Sequence, residues 1–336
     1  MRPTLVDVAK AASVSPATVD RVINDRPGAS ARTRAQVLEA ARRLGYLSDS
    51  DVPISAALRV TFLLPQGTNA YIADLARQAR EQAQFQRGIE VSIERPRALD
   101  PQGLADALVR CAEGADAIVM VALNHPSVRE AMRALAGTSV MVLTLASDIS
   151  DAPRDAFVGI DNGQAGRLAG YTLGRFLGRS PRGTVALFAG SLGYRGHQER
   201  EMGFRQVMTE DYPQLEVLEL RESREDRAKA HGETLRLMED HPDLVGIYNA
   251  GGATVGIAAA LEDSGAAGRI AFIAHEVTAE NKPYLLSGTV DAVIDQNARA
   301  QIRQIYQVLS AASQGHDYMP EPTQLRLILR ENLPAV

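Results

Sequence analysis

Apolar residues follow two different rhythms along the chain. Over the first fifty residues they recur at helical spacing in three short runs. Leu5, Val8, Ala9 and Ala12 share one helical face, Val19, Val22 and Ile23 a second, and Val37, Leu38, Ala41 and Leu44 a third. Polar punctuation separates them. Thr4 with Asp7 resembles a capping box, Ser13-Val14 breaks the first run, and Ser15 can cap a second helix that begins at Pro16, where the missing N–H costs nothing. Asn24-Asp25 ends that helix, Pro27-Gly28 turns, Ser30 can cap the third and Gly45 stops it. Three short helices with a tight turn between the first two predict a helix-turn-helix, with the second helix placed to enter a DNA major groove.

From Leu58 the rhythm changes. Short apolar runs at 59–64, 89–93, 117–121, 140–145, 184–188, 215–220, 245–248, 270–273 and 290–294 read as strands, as does the segment leading to Gly159-Ile160-Asp161-Asn162. Amphipathic stretches, such as 69–87, 101–111 and 127–135, fill the intervals as helices. Repeated strand–helix–strand units imply parallel sheets covered on both faces, and about ten strands are more comfortable as two sheets than as one. The reading is an α/β chain: a headpiece over residues 1–47, a linker over 48–58, and a two-lobed body over 59–336 with a cleft. Lobe one takes about 59–161 and part of 297–320, and lobe two about 163–295 and part of the C-terminal segment.

Charge sharpens the division. The net charge of −5 argues against a nucleic-acid partner when taken whole, but residues 1–48 carry roughly +4, leaving roughly −9 for the rest. A basic head on an acidic body suits a DNA-reading module joined to a sensing domain. The expected DNA-facing set is Thr4, Ser15, Pro16, Ala17, Thr18, Arg21, Asn24, Ser30 and Thr33. Arg21 can pair bidentately with guanine, Ala17 can touch a thymine methyl, and Ser15, Thr18 and Ser30 suit phosphates. A solvated surface arginine is the bland alternative for Arg21. No apolar run is long enough to span a bilayer, the start of the chain lacks a secretory h-region, and Cys111 has no second cysteine to pair with, so a cytoplasmic protein is expected. Cys111 itself reads as a small buried helix residue.

Leu5-Val6-Asp7-Val8-Ala9-Lys10, Val14-Ser15-Pro16-Ala17-Thr18-Val19, Val22-Ile23-Asn24, Thr33-Arg34-Ala35-Gln36-Val37-Leu38 and Leu44-Gly45-Tyr46 together resemble the headpiece of the LacI/GalR family, in register over nearly the whole head. The resemblance implies a homodimer reading two half-sites of a pseudo-palindromic double-stranded DNA operator, with Pro16, Ala17 and Arg21 at the base-reading positions. Pro16 and Ala17 offer no hydrogen bonds, so readout leans on Arg21. The linker departs from the family. It is shorter than usual and carries Asp49, Asp51 and Pro53 where a hinge helix and its minor-groove leucine are expected. Proline and two aspartates disfavour such a helix beside phosphates, so weak or absent DNA kinking is expected.

In open α/β sheets ligands bind beyond the carboxyl ends of strands. That rule selects Asn69, Tyr71, Asn124, His125, Asp161, Tyr194, Arg200, Asn249, Glu276 and Gln296, with Thr68, His275 and Asp295 beside them. Amides, carboxylates, an arginine and rings suit a polyhydroxylated ligand. Turn or cap roles compete for Asn124, His125, Tyr194 and Asn249, and a cap role for Asp161. The body is similar to the periplasmic-binding-protein type I fold, close to ribose-binding proteins. The clearest match is Phe157-Val158-Gly159-Ile160-Asp161-Asn162-Gly163-Gln164-Ala165-Gly166 at the lobe crossover. That likeness implies a sugar-gripping arginine at Arg200, Glu276 in place of the usual aspartate, Gln296 as the glutamine after the last lobe-two strand, and Asn249 (or Ala250) at the usual asparagine.

Catalysis finds little footing. The six histidines lack metal spacing, no Gly-x-Ser-x-Gly elbow occurs, and Gly190-Ser191-Leu192-Gly193-Tyr194-Arg195-Gly196 lacks the Gly-Lys-Ser/Thr ending of a nucleotide loop. No enzyme activity, cofactor, metal or membrane partner is expected. The expected function is a transcriptional regulator, a repressor, whose operator affinity answers to a sugar or sugar alcohol. The alternatives are a nucleobase corepressor and a sugar-binding protein without effector-controlled DNA binding. No leucine heptads close the sequence, so a dimer is expected and not a tetramer held by a C-terminal coiled coil.

Overall fold

The computed structural model describes residues 3–24, 26, 28–46, 57–86, 88–316 and 318–334. Most of the linker, with Asp49, Asp51 and Pro53, lies outside the described residues, so the kinking expectation is not addressed by them.

The head consists of α1 (Leu5–Ala11), α2 (Pro16–Ile23) and α3 (Ala31–Arg43). Local chemistry sets its ends. Thr4 and Asp7 form a reciprocal capping box on α1, and Ser15 Oγ accepts from the Thr18 amide at 3.2 Å to start α2. Ser13, in the intervening turn, takes a left-handed φ of 53°. Val8, Ala9, Val19, Val22, Val37, Leu38, Ala40 and Ala41 close a small core of their own. The small side chain of Ala9 permits the close approach of α1 and α2 that a helix-turn-helix requires.

Lobe one is built from β1 (Leu58–Leu63), α4 (Ala70–Ala83), β2 (Ile89–Glu94), α5 (Pro101–Ala112), β3 (Ala117–Met120), α6 (Pro126–Leu135), β4 (Met141–Leu145) and β5 (Ala156–Val158). Its sheet is wholly parallel, in the order β2-β1-β3-β4-β5. Burial on both faces explains why β3 and β4 read as continuous apolar runs and not as alternating ones.

Lobe two follows with α7 (Asn162–Phe176), β6 (Gly183–Ala189), α8 (Arg195–Asp211), β7 (Leu215–Val217), β8 (Arg221–Glu222), α9 (Arg227–Asp240), β9 (Leu244–Asn249), α10 (Thr254–Asp263), β10 (Ala271–His275), α11 (Lys282–Ser287) and β11 (Ala292–Asp295). The chain then returns to lobe one as α12 (Ala298–Ser313), whose Ile302, Ile305, Tyr306 and Leu309 enter the lobe-one core. It crosses a third time to end in β12 (Arg326–Ile328), which pairs antiparallel with β11. The alternation of strands and helices is as the sequence predicts. The antiparallel edge strand is a departure, and the expected strand at 215–220 is β7 followed by a separate two-residue bridge.

Candidate functional site

A cavity of about 500 Å³ lies between the lobes at the carboxyl ends of both sheets. Loops after β1, β2, β3 and β4 form one wall; the start of α8 and the loops after β8, β9, β10 and β11 form the other. Its size falls in the range of small-molecule sites. Backbone strain concentrates here. Nine described non-glycine residues have positive φ, and six of them (Leu99, Ala146, Arg224, Glu225, Ala253 and Glu276) line this cavity. Such conformations cost about 1–3 kcal/mol each and cluster at functional sites.

Arg200 dominates the lobe-two side. It projects from α8, is only 4% exposed, and lines the cavity. Its Nε donates to Asn162 Oδ1 at 2.8 Å and its Nη1 to the Ala250 carbonyl at 2.7 Å. Both partners are neutral, so a buried cation stands in the wall oriented by two hydrogen bonds but without a carboxylate bonded to it among the described residues. Next to it, the Glu276 carboxylate accepts from the Gln296 backbone N–H at 3.3 Å and from the Gln296 side-chain amide. Burial, reinforced by the charge of Asp295, pushes the Glu276 carboxyl up to about 8. Asp295 itself pairs with Arg326 of β12, so the edge strand supports the floor of the site. Gln296 Oε1 and His275 Nδ1 are buried without hydrogen-bond partners. Burial, with Arg200 close by, holds His275 well below its usual range and His197 down to about 4, so both imidazoles are neutral at pH 7.

Glu276 makes a stability prediction. Its folded pKa lies above the ordinary 4.5, so the folded protein holds a proton that the unfolded chain has released. The stability this contributes is complete below about pH 4.5 and is lost as pH rises towards 8. Glu276→Gln removes the titration at nearly constant shape. At pH 8 the variant should exceed the parent by on the order of 4 kcal/mol, with the gap closing near pH 5. Thermal melts across that range check it; a gap that does not vary with pH rules the protonated carboxyl out.

Lobe one contributes Asn69 and Tyr71. Asn69 Oδ1 caps α4, accepting from the Tyr71 and Ile72 amides, and its Nδ2 donates to Glu225 Oε2 across the cleft at 3.0 Å. The buried Tyr71 hydroxyl donates to Gln301 of α12 at 2.7 Å. Tyr194, at the start of α8, lines the cavity while its ring joins the lobe-one core. The sequence reading therefore meets the cavity at Asn69, Tyr71, Tyr194, Arg200, Glu276 and Gln296.

Four other expected residues do not line it. Asn124 Oδ1 accepts from Arg129, His125 caps α6, Asp161 caps α7 through the Gln164 amide at 2.8 Å, and Asn249 Nδ2 donates to the Gly252 carbonyl and to Thr254 Oγ1. Their side chains serve caps and turns, the competing roles that such residue types carry. In the other direction, Glu225 and His197 line the cavity but were not among the expected contacts. Glu225 sits in Glu222-Ser223-Arg224-Glu225-Asp226-Arg227, a charge run that reads as a solvated loop. His197 lies three residues before Arg200 on the same helix, and that spacing was the available signal.

The head presents a second surface. Val19 and Val22 of α2 face inward, while Pro16, Ala17, Arg21 and Asn24 are exposed. Ser15 and Thr18 share a hydroxyl–hydroxyl contact of 2.9 Å at the start of the helix, and Ser30 and Thr33 share one of 2.8 Å at the start of α3. Asn24 Nδ2 donates to Asp20 Oδ1 at 2.8 Å. Thr4 Oγ1 donates to Asp7 in the α1 cap. All of these expected DNA contacts lie at least partly at the surface.

An exposed helix-turn-helix precedes a two-lobed, cleft-bearing α/β body. Comparison with known proteins gives the family. Residues 4–49 match "Bacterial regulatory proteins, lacI family" and residues 60–317 match "Periplasmic binding protein domain". The chain belongs, by the model that matches most of its length, to the periplasmic binding protein domain family, and its head matches the lacI family of bacterial regulatory proteins. It is 41% identical over 80 residues to catabolite control protein A of Priestia megaterium, covering 23% of this chain and 24% of that protein. It is 27% identical over 216 residues to the HTH-type transcriptional regulator DegA of Bacillus subtilis, covering 62% of each. The chain thus spans less than two thirds of either relative. Among solved structures, GanP, a glucose-galactose binding protein from Geobacillus stearothermophilus, superposes with a TM-score of 0.75 at 22% identity over 83% of this chain and 99% of GanP. A solute-binding protein from Burkholderia graminis in complex with D-arabinose gives 0.76 at 22% identity, over 83% of this chain and 97% of that one. At that identity the likeness establishes the shared fold. Among the described residues no helix is long and apolar enough to cross a membrane.

Proposed function

We propose that this protein is a cytoplasmic repressor that binds a pseudo-palindromic operator as a homodimer and changes its operator affinity when a sugar or polyol occupies the inter-lobe cleft. The observation that carries the effector reading is Arg200, a buried cation fixed by two neutral partners in the cavity wall. Adjacent hydroxyls fit it, since a guanidinium N–H donates to a hydroxyl oxygen while Glu276 and the Gln296 carbonyl oxygen accept from hydroxyl protons. The ten positions expected from the sequence divide accordingly. Asn69, Tyr71, Tyr194, Arg200, Glu276 and Gln296 are the proposed contacts, and Asn124, His125, Asp161 and Asn249 are proposed to hold the loops that frame them.

On the head, Arg21 is the proposed base reader, supported by phosphate contacts from Ser15, Thr18, Ser30 and Thr33 beside helix starts. Coupling between cleft and operator follows from geometry. Half-site spacing is fixed by the duplex, so a change in lobe angle that alters headpiece separation weakens specific binding, with a coupling of about 1–3 kcal/mol. The test uses a duplex selected by the protein from a random pool. Arg21→Ala should lower the ratio of selected to scrambled binding by about 5- to 150-fold per half-site, the worth of roughly 1–3 kcal/mol, in fluorescence anisotropy at fixed salt. A uniform loss on both duplexes would make Arg21 a phosphate contact instead.

A further inference from the structure

The two walls of the cleft differ in chemistry. Lobe two meets it with charged and hydrogen-bonding side chains, Arg200, Glu225, Glu276 and Gln296 among them. Lobe one meets it largely with carbon. Its strands run in the order β2-β1-β3-β4, and the segments that follow these four neighbours bring Leu99, Pro65, Val121 and Ala146 respectively to the cavity. Several polar groups on that wall already hold partners. The Tyr71 hydroxyl donates to Gln301 at 2.7 Å, Thr68 Oγ1 donates to the Glu225 carbonyl at 3.5 Å, and Ser147 Oγ accepts from the Gly196 amide at 3.4 Å. Asn69 and the exposed Gln66 are the polar exceptions. Two of the four apolar residues sit in left-handed backbone, Leu99 at φ 56° and Ala146 at φ 62°. Glycine or asparagine would adopt that conformation at less cost, so local backbone preference does not account for either side chain. Leu99 stands one residue before the Asp100 cap of α5 and packs on the lobe-one core, yet it is only partly buried and lines the cavity.

We propose that the effector is an amphipathic carbohydrate, with a deoxy carbon or a small alkyl aglycone on one edge, and that Leu99 and Val121 are specificity-determining contacts for that edge. Its hydroxyls face Arg200 and Glu276 on lobe two, and its apolar edge lies on the row of carbon that lobe one presents. A hydroxyl set against that row loses water and gains no hydrogen bond, whereas a methyl group gains contact and sheds apolar surface from water. The proposal rests on the effector reading and narrows it, because a fully hydroxylated hexose becomes the weaker ligand.

The test is calorimetry on the full chain with matched pairs: D-galactose against D-fucose, L-mannose against L-rhamnose, and D-glucose against its methyl and isopropyl β-glycosides. In at least one pair the member with more carbon surface should bind about 10- to 200-fold tighter, the range for one methylene in an apolar pocket. Two variants then assign the preference to the lobe-one wall. Leu99→Asn removes the apolar group and suits left-handed backbone. Val121→Thr keeps the outline of the side chain and adds a hydroxyl. Each should lower the affinity ratio within the pair at least fivefold. Because both members are measured on the same protein, a loss of folded material cancels from the ratio. Pairs that bind without preference for the apolar member, or parental ratios in both variants, overturn the proposal. Either result leaves the effector reading standing, since the sugars still bind. A panel in which no member binds overturns both.

Discussion

Arg200→Ala is expected to raise the dissociation constant of the effector by about 30- to 1,000-fold while leaving the melting temperature of the ligand-free protein unchanged or slightly higher. The factor corresponds to roughly 2–4 kcal/mol, the usual loss when one partner of a buried, charge-assisted pair is truncated. The unusual second half follows from the environment of the side chain. Arg200 is 4% exposed, and its hydrogen bonds go to Asn162 and a backbone carbonyl, not to a carboxylate. Its burial is therefore offset only in part, by two neutral hydrogen-bond partners and by the nearby Glu276 and Glu225, until a ligand arrives. Arg200→Lys should recover little, because an ammonium cannot hold Asn162, Ala250 and a ligand in one plane. The readout is a thermal-shift panel of sugars and polyols followed by calorimetry on the compounds that bind. A ligand at a hundredfold excess over its dissociation constant stabilises by about 2.7 kcal/mol, and a hundredfold weaker variant keeps only about 0.4 kcal/mol of that. Ligand affinity within threefold of the parent would remove Arg200 from the site.

Much of this architecture is legible in the residues because it rests on local rules. Thr4, Asp7, Ser15 and Pro16 specify helix starts within four residues of themselves, and the structure begins α1 and α2 there. The alternation of strand and helix in the body is likewise written in periodicity. Three residues of antiparallel β12 carry no comparable signal: Arg326-Leu327-Ile328 becomes a strand only because β11 offers an edge. In the cleft, the strand-end rule brings Arg200, Glu276 and Gln296 together from α8, β10 and β11. It cannot separate a cavity-lining asparagine from a capping one, because the side-chain oxygen that caps a helix is the oxygen that would meet a ligand. Asn69 does both, while Asp161 and His125 only cap. Glu225 was illegible for a different reason. Its position depends on left-handed backbone and on glycines 35 residues before and 27 after it, relations that exist only in three dimensions.

Gly166→Ala should destabilise the protein by about 3 kcal/mol or more and abolish effector binding, although residue 166 does not line the cavity. Helices α7 and α8 meet along a seam of small residues. A Cβ on Gly166 would lie 2.0 Å from the carbonyl oxygen of Arg200 and 2.7 Å from its carbonyl carbon. Main chain cannot rotate aside as a side chain would, so the helices must separate, and overpacking of this kind falls at or beyond the upper end of its usual range of about 1–3 kcal/mol. The displaced atoms belong to Arg200 itself, so the same shift moves the guanidinium off Asn162 and Ala250 and degrades the proposed site along with the fold. Gly232→Ala is the control. It lies on α9, where a new Cβ meets nothing nearer than Arg236 Nη2 at 3.9 Å, and replacing a helical glycine there should stabilise by roughly 0.5–1 kcal/mol. Calorimetric melts should therefore move in opposite directions for two identical substitutions, with Gly166→Ala falling by roughly 6–12 °C on the scale of 2–4 °C per kcal/mol. If both variants melt within a degree or two of the parent, α7 and α8 are not in backbone contact, and the rigid seat on which Arg200 depends does not exist.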